Sequence, residues 1–572
     1  MNPFTKIALL SHYLKWRLTW NRRDTRYERL VPGNPKFMGP RRAAGLVSDG
    51  SVVMASGLGG NARASILYWA IRELFEETGH PRDLTVLSVG GFGGRGRVPG
   101  TLEELGQKGL CTRFFSGHLE TFKAMLRLAE AGQLELQCLP QGIMALLLEA
   151  QGRGETTITS ATGVGTFIDP RVGRGSPVVD PAARQWVSVA EEGLRYEMPK
   201  VNVALFNLPA ADEDGNLYAR GAVMVAECRE AALAARRNGG VVLANVGRLV
   251  PRGWGEVFLP AEAVDAVVEY PGTEQTGSIP YRKAWSMFTM ESDVPEEEAI
   301  EKLRFANRLL GITPRRGPVD DMLARLAASV FADNVGPGAN VNIGVGLPEE
   351  VCRCLHEGGV VDEITFFTET GVIGGLPAPG IYFGAAVCPK RMVSSAEVFR
   401  MCQESLDVTI LGLLEADSEG NVNVSRRGDG ALNAVGPGGF IDFACSARTV
   451  IFVGSWMARG RMGVAGERVR VVAAAPPKFV DRVSEITFSG AEALRRGQRV
   501  FYCTSVGAFQ LTPRGMELMA VLPGIDIQRD VLRASPMRIV LPPSGDVPVV
   551  DGSIVSGKGF RLRLGGRAGP AA

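Results

Sequence analysis

Glu363-Ile-Thr-Phe-Phe-Thr-Glu-Thr-Gly-Val-Ile-Gly-Gly375 changes character halfway along. Its first part is β-branched and aromatic, the composition of a strand. Its second part is glycine-rich, the composition of a tight loop. Glu369 stands at the junction, at the carboxyl end of the strand, which is where ligands bind in open α/β sheets. An acid there is costly to bury unpaired. It reads either as a solvated turn residue or as a group with a task.

The stretch just upstream supplies the fold. Asn340-Val-Asn-Ile-Gly344 reads as a buried strand, and Gly344-Val-Gly346-Leu-Pro348 as a glycine loop with proline at a helix start. Glu349 and Glu350 suit the first turn. Val351, Cys354 and Leu355 give the helical spacing, and Gly358-Gly359 stops it. The result is a βαβ unit that brings the Gly344–Gly346 loop and Glu369 to one edge of a parallel sheet. A glycine loop that opens a helix is a general anion cradle.

The same order occurs earlier in the chain. Ser51-Val-Val-Met-Ala55 is a strand, followed by Ser56-Gly-Leu-Gly-Gly-Asn61. A helix with Ile66, Trp69, Ala70, Leu74 and Phe75 on its apolar face comes next. Leu84-Thr-Val-Leu-Ser88 and Gly90-Gly-Phe-Gly-Gly94 complete the unit. Laid over residues 364–374, this stretch puts Val89 in the place of Glu369. Ala211-Asp-Glu-Asp-Gly-Asn216 and Ala416-Asp-Ser-Glu-Gly-Asn421, each after an apolar strand, form a second matching pair. The chain therefore reads as two related halves. The scaffold does not require an acid where Glu369 stands, which favours a chemical role. Gly436-Pro-Gly-Gly439 is a further sharp loop, either an ordinary turn or a nest of amides aimed at a ligand.

The chain has 572 residues, of which 45% are apolar, enough for two large α/β units. Lys and Arg number 63 against 61 acids, so no charge footprint for nucleic acid is present. No apolar run reaches the ~18 residues that span a bilayer, and the N-terminus does not read as a signal peptide. Nine scattered cysteines suit reduced thiols in a cytoplasmic protein. Four histidines make no metal pattern.

The expected divisions are an extension at 1–45, a first unit at 46–275, a linker at 276–318, a second unit at 319–545 and a tail at 546–572. In the extension Ile7, Leu10, Leu14 and Leu18 trace a helical stripe, with Trp16 and Trp20 nearby. Lys6, Lys15, Arg17, Arg22 and Arg23 are uncompensated before Asp24. The stripe is expected to pack on the body or on a partner subunit, with membrane-surface binding as the alternative.

Ten stretches in order resemble a family I coenzyme A-transferase of the single-chain kind that fuses two subunit-like halves. They are Gly57-Leu-Gly-Gly-Asn61, Glu77-Thr-Gly-His-Pro-Arg-Asp-Leu84, Leu139-Pro-Gln-Gly142, Gly163-Val-Gly-Thr-Phe-Ile-Asp-Pro-Arg171, Asp212-Glu-Asp-Gly-Asn216, Asn342-Ile-Gly-Val-Gly-Leu-Pro348, Glu369-Thr-Gly-Val-Ile-Gly-Gly375, Gly420-Asn-Val-Asn-Val-Ser425, Gly436-Pro-Gly-Gly-Phe440 and Ile486-Thr-Phe-Ser-Gly490. In these motifs it is similar to acetate and propionate CoA-transferases. Val398–Ser405 and Ser505–Phe509 depart from the pattern, which bears on the acyl substrate rather than on the chemistry.

The resemblance implies two related Rossmann-like α/β domains with mainly parallel sheets, alpha-subunit-like and then beta-subunit-like. It implies Glu369 as the nucleophile and a glutamyl-CoA thioester as the intermediate. Gly438, Gly439, Gly59 and Gly60 become the expected oxyanion donors, and Gly344, Gly346, Gly374 and Gly375 the expected CoA-binding loops. Coenzyme A would be a co-substrate, with no permanent cofactor and no metal. An acyl-CoA and a carboxylic acid would be the partners, in a homo-oligomer. An acyl-CoA hydrolase and an inactive CoA-ligand-binding paralogue stand as alternatives.

Overall fold

The computed structural model describes residues 1–19, 21–93, 99–273, 285–311 and 313–565. Trp20, Gly94, part of the expected 276–318 linker and the last seven residues of the expected tail lie outside these. Two sheets organise the described chain. The first has the order Ala266–Glu269, Val241–Val250, Val203–Asp212, Val52–Ala55, Leu84–Ser88, Cys111–Ser116, Glu135–Cys138, all parallel, with the short strand Leu217–Tyr218 antiparallel to Val203–Asp212. The second runs Thr365–Phe366, Asn340–Ile343, Val408–Gly412, Thr449–Val453, Arg499–Cys503 in parallel and ends in an antiparallel hairpin, Gly507–Thr512 and Gly515–Val521.

The two orders superpose. Leu84–Ser88, Val52–Ala55, Val203–Asp212, Val241–Val250 and Ala266–Glu269 follow one another as the first five strands of the second sheet do. The repeat read from the sequence is thus a repeat of topology. Leu84–Ser88 and Val203–Asp212 are buried along their whole length, as expected for parallel strands covered on both faces. The matched acidic turns also agree. Asp212 Oδ1 accepts from the amides of Asp214, Gly215 and Asn216, and Asp417 Oδ1 from those of Glu419 and Asn421. Each aspartate closes its own turn, which explains the residue type.

The halves share one continuous core. Gln141–Arg153, a helix of the first half, packs on Cys228–Arg237 and also reaches Ser395–Ser405 and Phe440–Ser446 of the second. Gly142 is one point of close approach. Its amide donates to Asp442 Oδ2 at 3.0 Å, and a Cβ there would lie 2.6 Å from Asp442 Oδ1 and 2.7 Å from the Phe399 ring.

One strand is shorter than its composition suggests, and two helices lie within the expected linker and tail. The run 363–368 pairs only over Thr365–Phe366, because Thr368 turns its amide to the Val372 carbonyl instead of to the neighbouring strand. Within the expected linker, residues 295–304 already read as a charged helical segment; the helix is Glu296–Leu310, with Ala299, Leu303 and Ala306 buried in one cluster with Leu9, Tyr13 and Tyr382. Within the expected tail, Gly552–Ser556 is helical and docks on the helix Pro318–Asn334, where Arg325 donates to the Ile554 and Val555 carbonyls. Both segments are held by packing on the body, which local pattern does not show.

Candidate active site

Glu369 sits at the tip of the turn 368–372. Two threonines lock that turn. Thr368 Oγ1 hydrogen-bonds Thr370 Oγ1 at 3.0 Å, accepts from the Val372 amide at 3.1 Å and reaches the Gly384 carbonyl at 3.2 Å. Thr370 Oγ1 also donates to the Gly384 carbonyl. Gly371 has φ +89°, and a Cβ there would lie 2.0 Å from the Val393 carbonyl oxygen, so only glycine fits.

Glu369 is only 4% exposed. Burial pushes its carboxyl up to about 7, with no charged neighbour among the causes to pull it back. The solvated-turn reading of this residue is therefore excluded. Val89, its counterpart in the first half, is buried in the apolar core.

The glycine loops of both halves form a continuous surface with this turn. A Cβ on Gly384 would meet the Thr370 methyl at 2.8 Å and a Leu58 methyl at 2.9 Å. The other Leu58 methyl faces Gly90, whose Cβ position also borders the Gln141 amide at 3.2 Å. Gln141 Oε1 in turn lies 3.7 Å from the Cβ position of Gly438. Thr370, Leu58, Gln141 and the Gly436–Gly439 loop thus border the same row of glycines, Gly384, Gly90 and Gly438. Asn61 ties the first glycine loop to the Glu369 side, its Nδ2 donating to the carbonyls of Tyr382 and Phe383 at 3.3 Å each.

The Gly436–Gly439 loop is stitched to the first half by backbone alone. Leu119 and Glu120 donate to the Val435 carbonyl at 2.7 and 3.0 Å. The Gly438 amide donates to Gly117 O at 2.8 Å, and the Gln141 amide donates to Gly438 O at 3.2 Å. Of the four glycines expected as oxyanion donors, two have their amides committed here. Gly438 donates to Gly117, and Gly59 donates to the Gly91 carbonyl at 2.7 Å. Among the described residues the amides of Gly60 and Gly439 make no such bond.

The glycines expected to bind CoA separate into two kinds. A Cβ on Gly346 would meet nothing within 4 Å, whereas one on Gly344 would lie 3.2 Å from a Leu411 methyl and 3.3 Å from the Ile410 carbonyl oxygen, so the loop is open at Gly346 and packed at Gly344. Glu349, in the first turn of the helix it opens, accepts from the Gly380 amide at 2.9 Å. Gly374 and Gly375 instead press on the segment Val387–Lys390, where a Cβ on Gly375 would lie 2.1 Å from Val387 O. Packing accounts for these two glycines.

Sequence reasoning missed Gln141. Among the described residues its Nε2 is buried with no hydrogen-bond partner, beside Gly90 and near Gly438. A buried unpaired amide is costly, which marks it as a donor held ready for a ligand. The only signal was its place within Leu139-Pro-Gln-Gly142. A desolvated carboxyl on the 368–372 turn and an unpaired amide donor at Gln141 are the groups this region offers to a reacting carbonyl.

A model of the coenzyme A transferase family matches residues 38–269. The chain is 31% identical over 513 residues to a caffeate CoA-transferase of Acetobacterium woodii, covering 87% of this chain and 93% of that protein. The fold is similar to that of the acyl-CoA transferase YdiF of Escherichia coli O157:H7 as the apoenzyme, with a TM-score of 0.79 at 26% identity over 94% of this chain and 99% of that one. A structure of YdiF described as a thioester complex with CoA is similar to the same degree, over 92% and 97% of the two chains.

Proposed function

The chain belongs to the coenzyme A transferases, in the single-chain family I form, and from that premise we propose that it moves CoA from an acyl-CoA to a free carboxylic acid through a thioester on Glu369. The observation that carries this reading is the environment of Glu369. It is a buried carboxyl with no cation beside it among the described residues, and glycine loops from both halves border its turn.

A carboxylate in water is a poor nucleophile because it is well solvated. Here that solvation is removed, and the substrate carbonyl is held against the oxygen, an effect worth up to roughly 7–11 kcal/mol. A Glu369 oxygen attacks the thioester carbon. The C–S bond breaks, leaving an acyl-glutamyl anhydride and CoA thiolate. The thiolate then attacks the glutamyl carbonyl carbon, and the acyl group departs as a carboxylate. The acceptor carboxylate attacks the resulting glutamyl-CoA thioester and expels the thiolate. The thiolate takes the acceptor's acyl group and returns Glu369 as carboxylate.

Each tetrahedral oxyanion needs donors. The uncommitted amides of Gly439 and Gly60 and the free Gln141 Nε2 are our assignment, and losing one such donor costs about 10²–10³ in rate. The CoA thiolate and the carboxylates supply all the nucleophiles, so coenzyme A enters as a co-substrate and no further group takes part. The Gly344–Gly346 loop, open at Gly346, is the assigned contact for the nucleotide portion. Nine free cysteines support a cytoplasmic setting, and a homo-oligomer belongs to the same reading.

The test is incubation with acetyl-CoA and no acceptor, followed by intact-mass and peptide mass spectrometry. The expected result is a CoA adduct on Glu369 that borohydride removes, with parallel double-reciprocal lines in steady state. Intersecting lines and no adduct would overturn the covalent route. Steady acetate release without any acceptor would reassign the activity to hydrolysis.

A further inference from the structure

The first helix, Pro3–Thr19, has two apolar faces, and the body uses only one. Leu9 and Tyr13 are buried with Trp285, Met287 and Phe288, and the N-terminal amine pairs with Glu301. The opposite face carries Phe4, Ile7, Leu10, Leu14 and Leu18, at the 3–4-residue spacing of a single stripe. All five are exposed, Phe4 by 82%, Leu14 by 63% and Leu18 by 70%. They are five of the 18 large apolar side chains that stand exposed among the described residues, so one helix concentrates what is elsewhere scattered.

Charge says what covers this stripe. Lys6 and Lys15 are exposed and border it on either side on the helical wheel. Arg22, Arg26 and Arg29 follow, also exposed. Residues 1–30 hold seven Lys or Arg and two acids, Asp24 and Glu28, an excess of five. The whole chain has an excess of only two, so the remainder is net acidic by three. An apolar stripe flanked by cations on an anchored helix is the pattern of a helix lying in a lipid headgroup layer. Among the described residues no helix is long and apolar enough to cross a membrane. We propose that Pro3–Thr19 docks the enzyme on the surface of an anionic phospholipid bilayer, stripe inward and cations against the headgroups. The proposal does not depend on the covalent mechanism above.

The experiment is vesicle flotation of the full chain. The vesicles are phosphatidylcholine alone, or seven parts phosphatidylcholine to three parts phosphatidylglycerol. Expected is binding to the phosphatidylglycerol vesicles only, weakened by salt and weakened roughly fivefold per charge in Lys6→Glu and Lys15→Glu. Leu14→Ser/Leu18→Ser removes surface side chains, so it is expected to abolish flotation while transfer activity in solution is unchanged. Failure of the wild type to float with phosphatidylglycerol vesicles would overturn the proposal, as would equal flotation of the Leu14→Ser/Leu18→Ser variant. If the wild type does not float and light scattering shows it larger than that variant, the stripe covers a second copy of the chain and the membrane assignment falls.

Discussion

Replacing Glu369 by glutamine removes the charge and keeps the shape. Burial holds the folded carboxyl at about 7, against an ordinary 4.5. Each unit is worth about 1.4 kcal/mol, so keeping this group ionised in the folded chain costs about 3 kcal/mol. The folded value is the raised one, so the stability of the protonated form is fully present below about 4.5. It is lost as pH rises through about 7. Glu369→Gln should therefore be more stable than wild type by up to about 3 kcal/mol at pH 8, and by less than about 1 kcal/mol at pH 5. Glu103, Glu227 and Asp442, pushed up to about 7, 8 and 7 by burial, titrate in both proteins and cancel in the difference. The assay is the urea midpoint of both proteins at the two pH values, with CoA transfer measured alongside. Transfer should be lost in the variant. A variant less stable than wild type at pH 8, or a difference that does not change between pH 5 and 8, would refute the account of a desolvated, unpaired carboxyl.

Since Glu369 must be ionised to attack, kcat/KM should rise with pH through about 7 and level off above it; a profile flat from pH 5.5 to 8.5 would argue against this residue as nucleophile. Gly439→Ala brings a Cβ to 2.9 Å from the Phe443 ring and should lower kcat more than CoA affinity, whereas Gly420→Ala, with φ +78° and a Cβ 2.6 Å from Leu511, should lower the melting temperature and leave turnover per folded molecule intact. Gln141→Ala should cost about 10²-fold in kcat with little change in KM, as measured by steady-state kinetics. Gly142→Ala forces a Cβ against Asp442 and Phe399 and should destabilise the contact between the halves by roughly 1–3 kcal/mol, read as an earlier denaturation midpoint.

Much of the architecture was legible because it rests on local pattern. Strand, glycine loop, helix and strand recur at 51–94 and 340–375, and the strand orders agree. The turn at Glu369 was less legible. Its β-branched run suggested a longer strand, but Thr368 Oγ1 accepts from the Val372 amide and ends the pairing early, a side-chain choice that periodicity does not register. The N-terminal helix was visible, but not which way it faces. Leu9 and Tyr13 on one side and Ile7, Leu14 and Leu18 on the other are equally apolar, and only the packing partners break the tie. Gln141 acquires its meaning from Gly90 and Gly438, which are distant in sequence, so no local window shows it.

The four amide–carbonyl links between residues 117–141 and 435–438 have a consequence for how this protein tolerates drift. None of them involves a side chain. Substitution at Leu119, Glu120 or Val435 can change what surrounds the seam without removing a donor or acceptor, provided the residue is not proline. What inheritance must keep is the path of the main chain, and that depends on a few glycines and on the length of two loops. A chain can then lose about three-quarters of its identities, as between this protein and YdiF, while the overall fold is kept to a TM-score of 0.79. An insertion in either loop would displace these donors and acceptors, whereas a side-chain substitution there leaves them in place.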